Sequence, residues 1–119
     1  MQRLIYWFER AGALLVQDDS VLADHRQRIA ALARQHKLPT MFAWPGGANT
    51  GLMAYGPNFA DLGRRAATLV DKIFKGAKPG DLPIEQPTTF NLVVNLKTAT
   101  TLGITIPQSV LVQATRVIE

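Results

Sequence analysis

Short apolar runs that alternate with amphipathic stretches constrain the fold of this chain most strongly. Residues 13–17 form a continuous apolar run that leads into Asp18, Asp19 and Ser20, which is typical of a buried parallel strand followed by a helix N-cap. Residues 22–36 place their apolar side chains on one helical stripe, and residues 40–44 have the pattern of the next strand. Together these segments predict a βαβ unit with a right-handed crossover.

The second half of the chain repeats this alternation. Residues 61–75 have the clearest helical period, and Gly76 follows where a left-handed conformation would end the helix. The apolar face of this predicted helix consists of Leu62, Ala66, Leu69, Val70, Ile73 and Phe74. Residues 77–87 contain three prolines and predict an extended connector. A strand at 90–95, a helix at 97–102 that ends at Gly103, and a last helix at 107–112 complete the pattern.

The predicted fold class is α/β, a small and mostly parallel sheet of four or five strands with flanking helices. A sheet of this size leaves large apolar helix faces under-covered, which predicts a homodimer. At 119 residues the chain has the length of one domain, and 47% apolar with 18% charged residues is typical of a globular domain.

Composition also argues against several classes of partner. The thirteen Lys and Arg residues are dispersed, which disfavours nucleic-acid binding. The chain has no cysteine and only His25 and His36, about three helical turns apart, so we expect no disulfide, metal or cofactor. No apolar run approaches the roughly 18 residues of a membrane span, so we expect no membrane insertion.

Residues 1–11 contain an apolar cluster at 4–8 that Glu9 and Arg10 interrupt. This start has neither the hydrophobic core nor the small-residue cleavage site of a signal peptide. As written, the chain is predicted to be cytoplasmic.

Three stretches carry a resemblance to a known family. Residues 51–58 read G-L-M-A-Y-G-P-N, residues 76–87 read G-A-K-P-G-D-L-P-I-E-Q-P, and residues 90–107 read F-N-L-V-V-N-L-K-T-A-T-T-L-G-I-T-I-P. With the helix at 65–75 between them, they resemble the C-terminal portion of the ABC-transporter substrate-binding proteins of the tryptophan/tyrosine-binding (TrpX-like) kind. The likeness covers roughly residues 12–119.

The resemblance implies a type I periplasmic-binding-protein fold, in which two α/β lobes close on a ligand and the chain crosses between them. It implies that this chain holds only the second lobe and one crossing helix. Residues 1–119 would then be a single partial domain. Its parts would be a divergent start at 1–11, a βαβ unit at 12–55, a hinge-crossing helix and Pro-rich connector at 56–87, and a returning strand with C-terminal helices at 88–119.

The loop at 44–50 departs from the family pattern. It reads W-P-G-G-A-N-T, where members usually carry a charged loop that contains Glu. A ligand contact from this loop is therefore not implied by the resemblance.

Asp18, Asp19 and Ser20 follow the first predicted strand, and ligands of open α/β sheets sit at the carboxyl ends of strands. A carboxylate there could hold the amino group of an amino-acid-like ligand. The alternative is that Asp19 or Ser20 caps the following helix, and the residues alone favour that interpretation.

Trp44, Tyr55 and Asn58 are the other candidates for ligand binding. Trp44 ends the second predicted strand and could stack on an aromatic ligand or pack at an interface. Tyr55 and Asn58 lie where the family crosses between lobes, and a plain turn with a helix cap is the alternative there.

The combined prediction is a truncated substrate-binding component of an ABC importer, related to receptors for amino-acid-like, possibly aromatic ligands. Its permease partner and the extracytoplasmic location of full-length relatives are implied by the resemblance. The alternative is a homodimeric, non-transporting remnant of such a receptor. No nucleophile, paired carboxylates or phosphate loop indicates an enzyme.

Overall fold

In the computed structural model, residues 11–119 are described, and their central element is a five-stranded sheet. The apolar cluster at 4–8 lies outside the described residues. The strands are adjacent in sequence order and are β1 (Leu14–Val16), β2 (Thr40–Phe42), β3 (Met53–Pro57), β4 (Phe90–Asn95) and β5 (Arg116–Ile118).

Within residues 11–119, five α-helices and two 3-10 turns connect the strands. The helices are α1 (Ser20–Asp24), α2 (Arg26–Gln35), α3 (Phe59–Phe74), α4 (Leu96–Leu102) and α5 (Gln108–Leu111). The 3-10 turns are Pro45–Asn49 and Pro79–Asp81.

The sheet is parallel except at one junction. β1, β2 and β3 pair in parallel, as do β4 and β5. The Asn95 amide donates to the Leu52 carbonyl at 2.8 Å, and the Asn58 amide donates to the Thr89 carbonyl at 3.0 Å. The end of β4 therefore lies beside the start of β3, so these two neighbouring strands run antiparallel.

The predicted α/β class and mostly parallel sheet are confirmed. The strand at 90–95 is found as predicted, whereas the helix predicted at 22–36 is divided at His25 into α1 and α2. The Ala23 carbonyl at this division accepts from the His25 amide and, at 2.9 Å, from the Arg26 side chain. Strand β5 was not predicted, because residues 116–118 are too few to show a period.

One row of side chains forms the centre of the core on one face of the sheet. The strand registers align Val16 with Phe42 and Phe42 with Ala54. The antiparallel register of β3 and β4 then places Ala54 opposite Val93. All four side chains are buried in one cluster, which Ala30 of α2 also joins.

Phe42 also anchors the 3-10 turn at Pro45–Asn49. Its side chain is 0% exposed and contacts the Trp44 ring edge-on, with centroids 4.9 Å apart at 75°. A Cβ atom added at Gly47 would lie 2.2 Å from the Phe42 Cβ. Glycine at this position is therefore what lets the turn pack directly on the core.

The chain forms two compact units. The described residues up to Gly56 together with Asn91–Glu119 make one unit, and Pro57–Phe90 make the other. The second unit contains α3 and the Pro-rich connector. Within it, the Arg65 guanidinium contacts Glu85 at 3.4 Å and Thr88 Oγ1 at 2.9 Å, which holds the connector against the helix.

Helix α3 ends as its sequence predicts but buries none of its residues. Gly76 has φ of +102°, its amide donates to the Ile73 carbonyl, and the Ala77 amide donates to the Lys72 carbonyl, which is a Schellman cap. Leu69 is half-buried, whereas Val70 and Ile73 are exposed and Phe74 is 85% exposed. The predicted apolar face therefore exists in the structure without being buried.

Substituting Gly47→Ala should lower the free energy of unfolding by about 3 kcal/mol, because its Cβ would overlap Phe42. Gly46→Ala is the matched control, since a Cβ there would meet only Trp44 at 3.7 Å. We expect that control to stay within about 0.5 kcal/mol of the wild type in urea denaturation. Equal midpoints for the two variants would contradict the close packing of the turn on Phe42.

Candidate functional site

A cavity of about 460 Å³ lies in the unit that contains the sheet. The 3-10 turn at Pro45–Asn49 forms one side of it, and the first residues of β4 and β5 form the other. It is lined by Pro45, Gly46, Asn49, Asn91, Val93, Thr115 and Arg116.

The strand directions explain where this cavity lies. Pro45 follows the carboxyl end of β2, while Asn91 and Arg116 lie at the amino ends of β4 and β5. Because β4 and β5 run opposite to β1–β3, these ends meet at the same edge of the sheet. The cavity therefore adjoins the carboxyl edge of β1–β3, the position where open α/β sheets bind ligands.

Hydrogen bonds fix the polar lining. The Arg116 Nη2 donates to the Asn49 Oδ1 at 2.9 Å and so joins β5 to the turn. The Thr115 hydroxyl oxygen accepts from the Leu92 amide at 3.1 Å. On the other flank of the turn, the side-chain Nδ2 of the buried Asn95 donates to the Ala48 carbonyl at 2.8 Å. The turn is thus held against β4 and β5 by side chains as well as by packing.

The three polar candidates after β1 have different local roles. The Asp19 Oδ1 accepts from the Val21 amide at 2.8 Å and from the Leu22 amide at 3.2 Å, so Asp19 is the N-cap of α1. Asp18 and Ser20 are exposed, and their side chains make no hydrogen bond within the described part of the chain. Of the two interpretations of this segment, helix capping applies to Asp19. The side chains of Asp18 and Ser20 are exposed to solutes.

Trp44 lies just beyond β2, beside the turn that lines the cavity. Only 8% of it is exposed, because it packs edge-on against Phe42 in the core. Packing thus occupies most of the surface that was expected to offer stacking to an aromatic ligand.

Tyr55 belongs to the unit that contains the sheet, and Asn58 belongs to the unit that contains α3. Tyr55 is 48% exposed and points to the opposite face of the sheet from Ala54 and the core row, since side chains alternate along a strand. The Asn58 Oδ1 accepts from the Asp61 amide at 3.1 Å and caps α3.

Four polar residues of the cavity were missed from the sequence, namely Asn49, Asn91, Thr115 and Arg116. Asn49 lies in the loop from which the resemblance implied no ligand contact. Thr115 and Arg116 lie at the start of a strand too short to predict, and Asn91 meets them through the pairing of that strand with β4. The Pro45-Gly46-Gly47 sequence was the one available signal of this cavity, because glycine residues allow a turn to approach a sheet closely.

Other functional groupings gain no support from the described residues. The basic side of α3 is partly neutralised, since Arg65 lies 3.5 Å from Asp61 and Lys75 lies 2.8 Å from Asp71. Residues 11–119 contain no group of three His, Cys, Asp or Glu side chains placed to hold a metal ion. Within the same residues, no helix has the length and hydropathy to cross a membrane.

An open α/β sheet with a cavity at a carboxyl edge defines a class of ligand-binding proteins. The family model described as ABC transporter substrate binding protein matches residues 7–118. The chain therefore belongs to this family, and the resemblance seen in its sequence is confirmed. It is a family of binding proteins rather than of enzymes. A comparison with curated proteins gave no match.

Solved structures agree with this assignment. An ABC domain from Streptococcus pneumonia in complex with L-Trp has 30% identity and a TM-score of 0.88, over 98% of this chain and 40% of its own length. A conserved domain protein from Vibrio cholerae has 27% identity and a TM-score of 0.88, over 94% and 38%.

A ligand-free, open substrate-binding protein with adhesive properties from Clostridium difficile shares the fold, with 22% identity and a TM-score of 0.71 over 98% of this chain and 39% of its own. The chain thus spans about two fifths of each of these three structures.

Proposed function

We propose that the chain binds a small amino-acid-like ligand, aromatic ligands included, as part of the substrate-binding component of an ABC importer. The observation that carries this proposal is the open cavity at the carboxyl edge of β1–β3 in a chain of this family. A 30% identical structure in complex with L-Trp supports the ligand class. On this proposal the further partner is an ABC permease.

The candidate residues would contribute different contacts. For a ligand bound at the end of β1 rather than in the cavity, Asp18 would accept hydrogen bonds from the amino group, and Ser20 would add a hydroxyl. Asp19 uses one oxygen in a helix cap, which leaves its second oxygen for such a ligand. Asn58 belongs to the other unit, where its side-chain oxygen caps α3 and its amide nitrogen is left as a donor. The apolar part of the ligand would contact either the exposed edge of Trp44 or, on the opposite face of the sheet, Tyr55.

Burial of a ligand needs a second surface. Small-molecule sites usually cover 70–90% of the ligand, and this cavity is open. In the two-lobed receptors that the sequence resembles, the other lobe closes over the ligand. The proposal therefore includes a partner surface opposite the edge that carries the cavity.

Calorimetric titration of the chain with a panel of aromatic and branched amino acids should give saturable heat at micromolar to millimolar concentrations. If the ligand binds at the end of β1, Asp18→Ala should weaken the best binder at least about tenfold, because a hydrogen bond to a charged group contributes about 1.5–3 kcal/mol.

Asp24→Ala is the control, as Asp24 is an exposed carboxylate of the same region. That variant should bind like the wild type. Flat titrations across the whole panel would refute the receptor role. Equal affinities of the Asp18→Ala variant and the wild type would refute the contact from Asp18 alone.

A second candidate function is a homodimeric interaction protein with no transport role. The observation that favours it is the exposed apolar face of α3, which includes Val70 at 47% and Phe74 at 85% exposure. Association of two copies through this face would remove apolar surface from water at roughly 25 cal/mol per Å².

Light scattering at tens of micromolar protein should then give twice the monomer mass of 13.1 kDa. The double substitution Val70→Ser with Phe74→Ser should shift the mass toward the monomer, whereas Lys72→Ser on the same helix should not. A wild-type monomer at that concentration would contradict self-association. It would leave the receptor proposal unaffected.

A further inference from the structure

We propose that the cavity beside Arg116 is an anion site that takes the carboxylate group of a small organic ligand. The inference deepens the proposed function and rests on it for the identity of the ligand, although not for the binding of an anion. It assigns a role to four residues that the family resemblance did not single out, namely Asn49, Asn91, Thr115 and Arg116.

The position of Arg116 is set by the core row. β5 pairs with β4 so that Arg116 lies beside Val93, on the same face as Phe42 and Ala54. The row therefore runs from buried apolar side chains to one exposed guanidinium at its end. A ligand in the cavity would contact the apolar Val93 and Pro45 while its charged end meets Arg116.

The side chains that line the cavity offer several donors that no described contact uses. Arginine has five N–H groups and no acceptor, and the described contacts use one N–H, on Asn49. Because Asn49 accepts through its Oδ1, its amide nitrogen is left as a donor. The Asn91 side chain makes no hydrogen bond to another described residue, and the Thr115 hydroxyl accepts from Leu92 and keeps its own proton.

No described carboxylate lies within 4 Å of a charged atom of Arg116. Among residues 11–119, the Arg116 side chain therefore has a neutral amide and no carboxylate as its partner. A carboxylate supplied by a ligand would accept two parallel N–H bonds from a guanidinium, the geometry that arginine favours.

The site is separate from the loop that carries Asp18. β1 and β5 are the two outer strands, so the end of β1 and the start of β5 are roughly 19 Å apart at about 4.8 Å per strand. The amino and carboxylate groups of an α-amino acid are attached to one carbon and cannot span this distance, so a ligand held at Arg116 does not contact Asp18, and the two positions are alternatives. Binding of a simple carboxylate at Arg116 should therefore not depend on Asp18.

The test is a ¹⁵N NMR titration of the full chain with sodium acetate, with sodium chloride and sodium phosphate at equal ionic strength as comparisons. Acetate should shift the Arg116 Nε–H and the side-chain amides of Asn49 and Asn91 along one saturable curve. Arg116→Gln should weaken this response at least about tenfold, and Arg116→Lys should weaken it less.

Arg28→Gln is the matched control, because it removes the same charge from an exposed position on α2. The Arg28→Gln and Asp18→Ala variants should bind acetate like the wild type. The proposal fails if acetate acts no differently from chloride, if phosphate binds more tightly, or if Arg28→Gln weakens acetate as much as Arg116→Gln does.

Titration with L-tryptophan and tryptamine separates this result from the receptor proposal. Weaker binding of tryptamine, which lacks the carboxylate, with Arg116→Gln reducing only the affinity for tryptophan, supports the anion site and the receptor role and refutes a contact of the same ligand with Asp18. Saturable acetate shifts without any amino-acid binding support the anion site and refute the receptor role. Amino-acid affinities that Arg116→Gln leaves unchanged refute the anion site alone.

Discussion

The packing of the 3-10 turn at Pro45–Asn49 on Phe42 is the constraint on which the rest of the site depends. Phe42 is fully buried, and Gly47 approaches it so closely that even a methyl group would not fit. The turn crosses the core face of the sheet and brings Asn49 within hydrogen-bond distance of Arg116. A bulkier or charged loop could not lie in this position, which gives a physical reason for the small residues found there.

The antiparallel pairing of β3 and β4 explains why this turn contributes to the candidate site. If β4 and β5 continued the direction of β1–β3, their amino ends would lie at the far edge of the sheet. Instead, the starts of these strands lie beside the turn. An apolar base at Val93 and a set of donors around Arg116 are thus combined at the edge where the fold binds ligands.

The sequence predicts those parts of the fold that depend on the local period of apolar residues and on the residues that begin and end helices. It predicted the α/β class, the strand at 90–95, the long helix that became α3, and its end at Gly76. It could not predict the division at His25, the strand at 116–118 or the reversal at β4, because tertiary pairing decides these features. The cavity adjoins the edge at which a ligand site was predicted, but it is lined by other residues, and the predicted ligand contacts stay predictions. Asp19 and Asn58 act as caps, Trp44 packs in the core, and Arg116 lies in a strand that the sequence did not reveal.

Membership of the substrate-binding family leaves open which side chains hold a ligand. A crystal structure of the chain with L-tryptophan tests the central claim most directly. Our account predicts ligand density between the turn at Pro45–Asn49 and the starts of β4 and β5, with a carboxylate oxygen about 3 Å from the Arg116 guanidinium. Density for the ligand at another place, with the Arg116 cavity filled only by solvent, would contradict it.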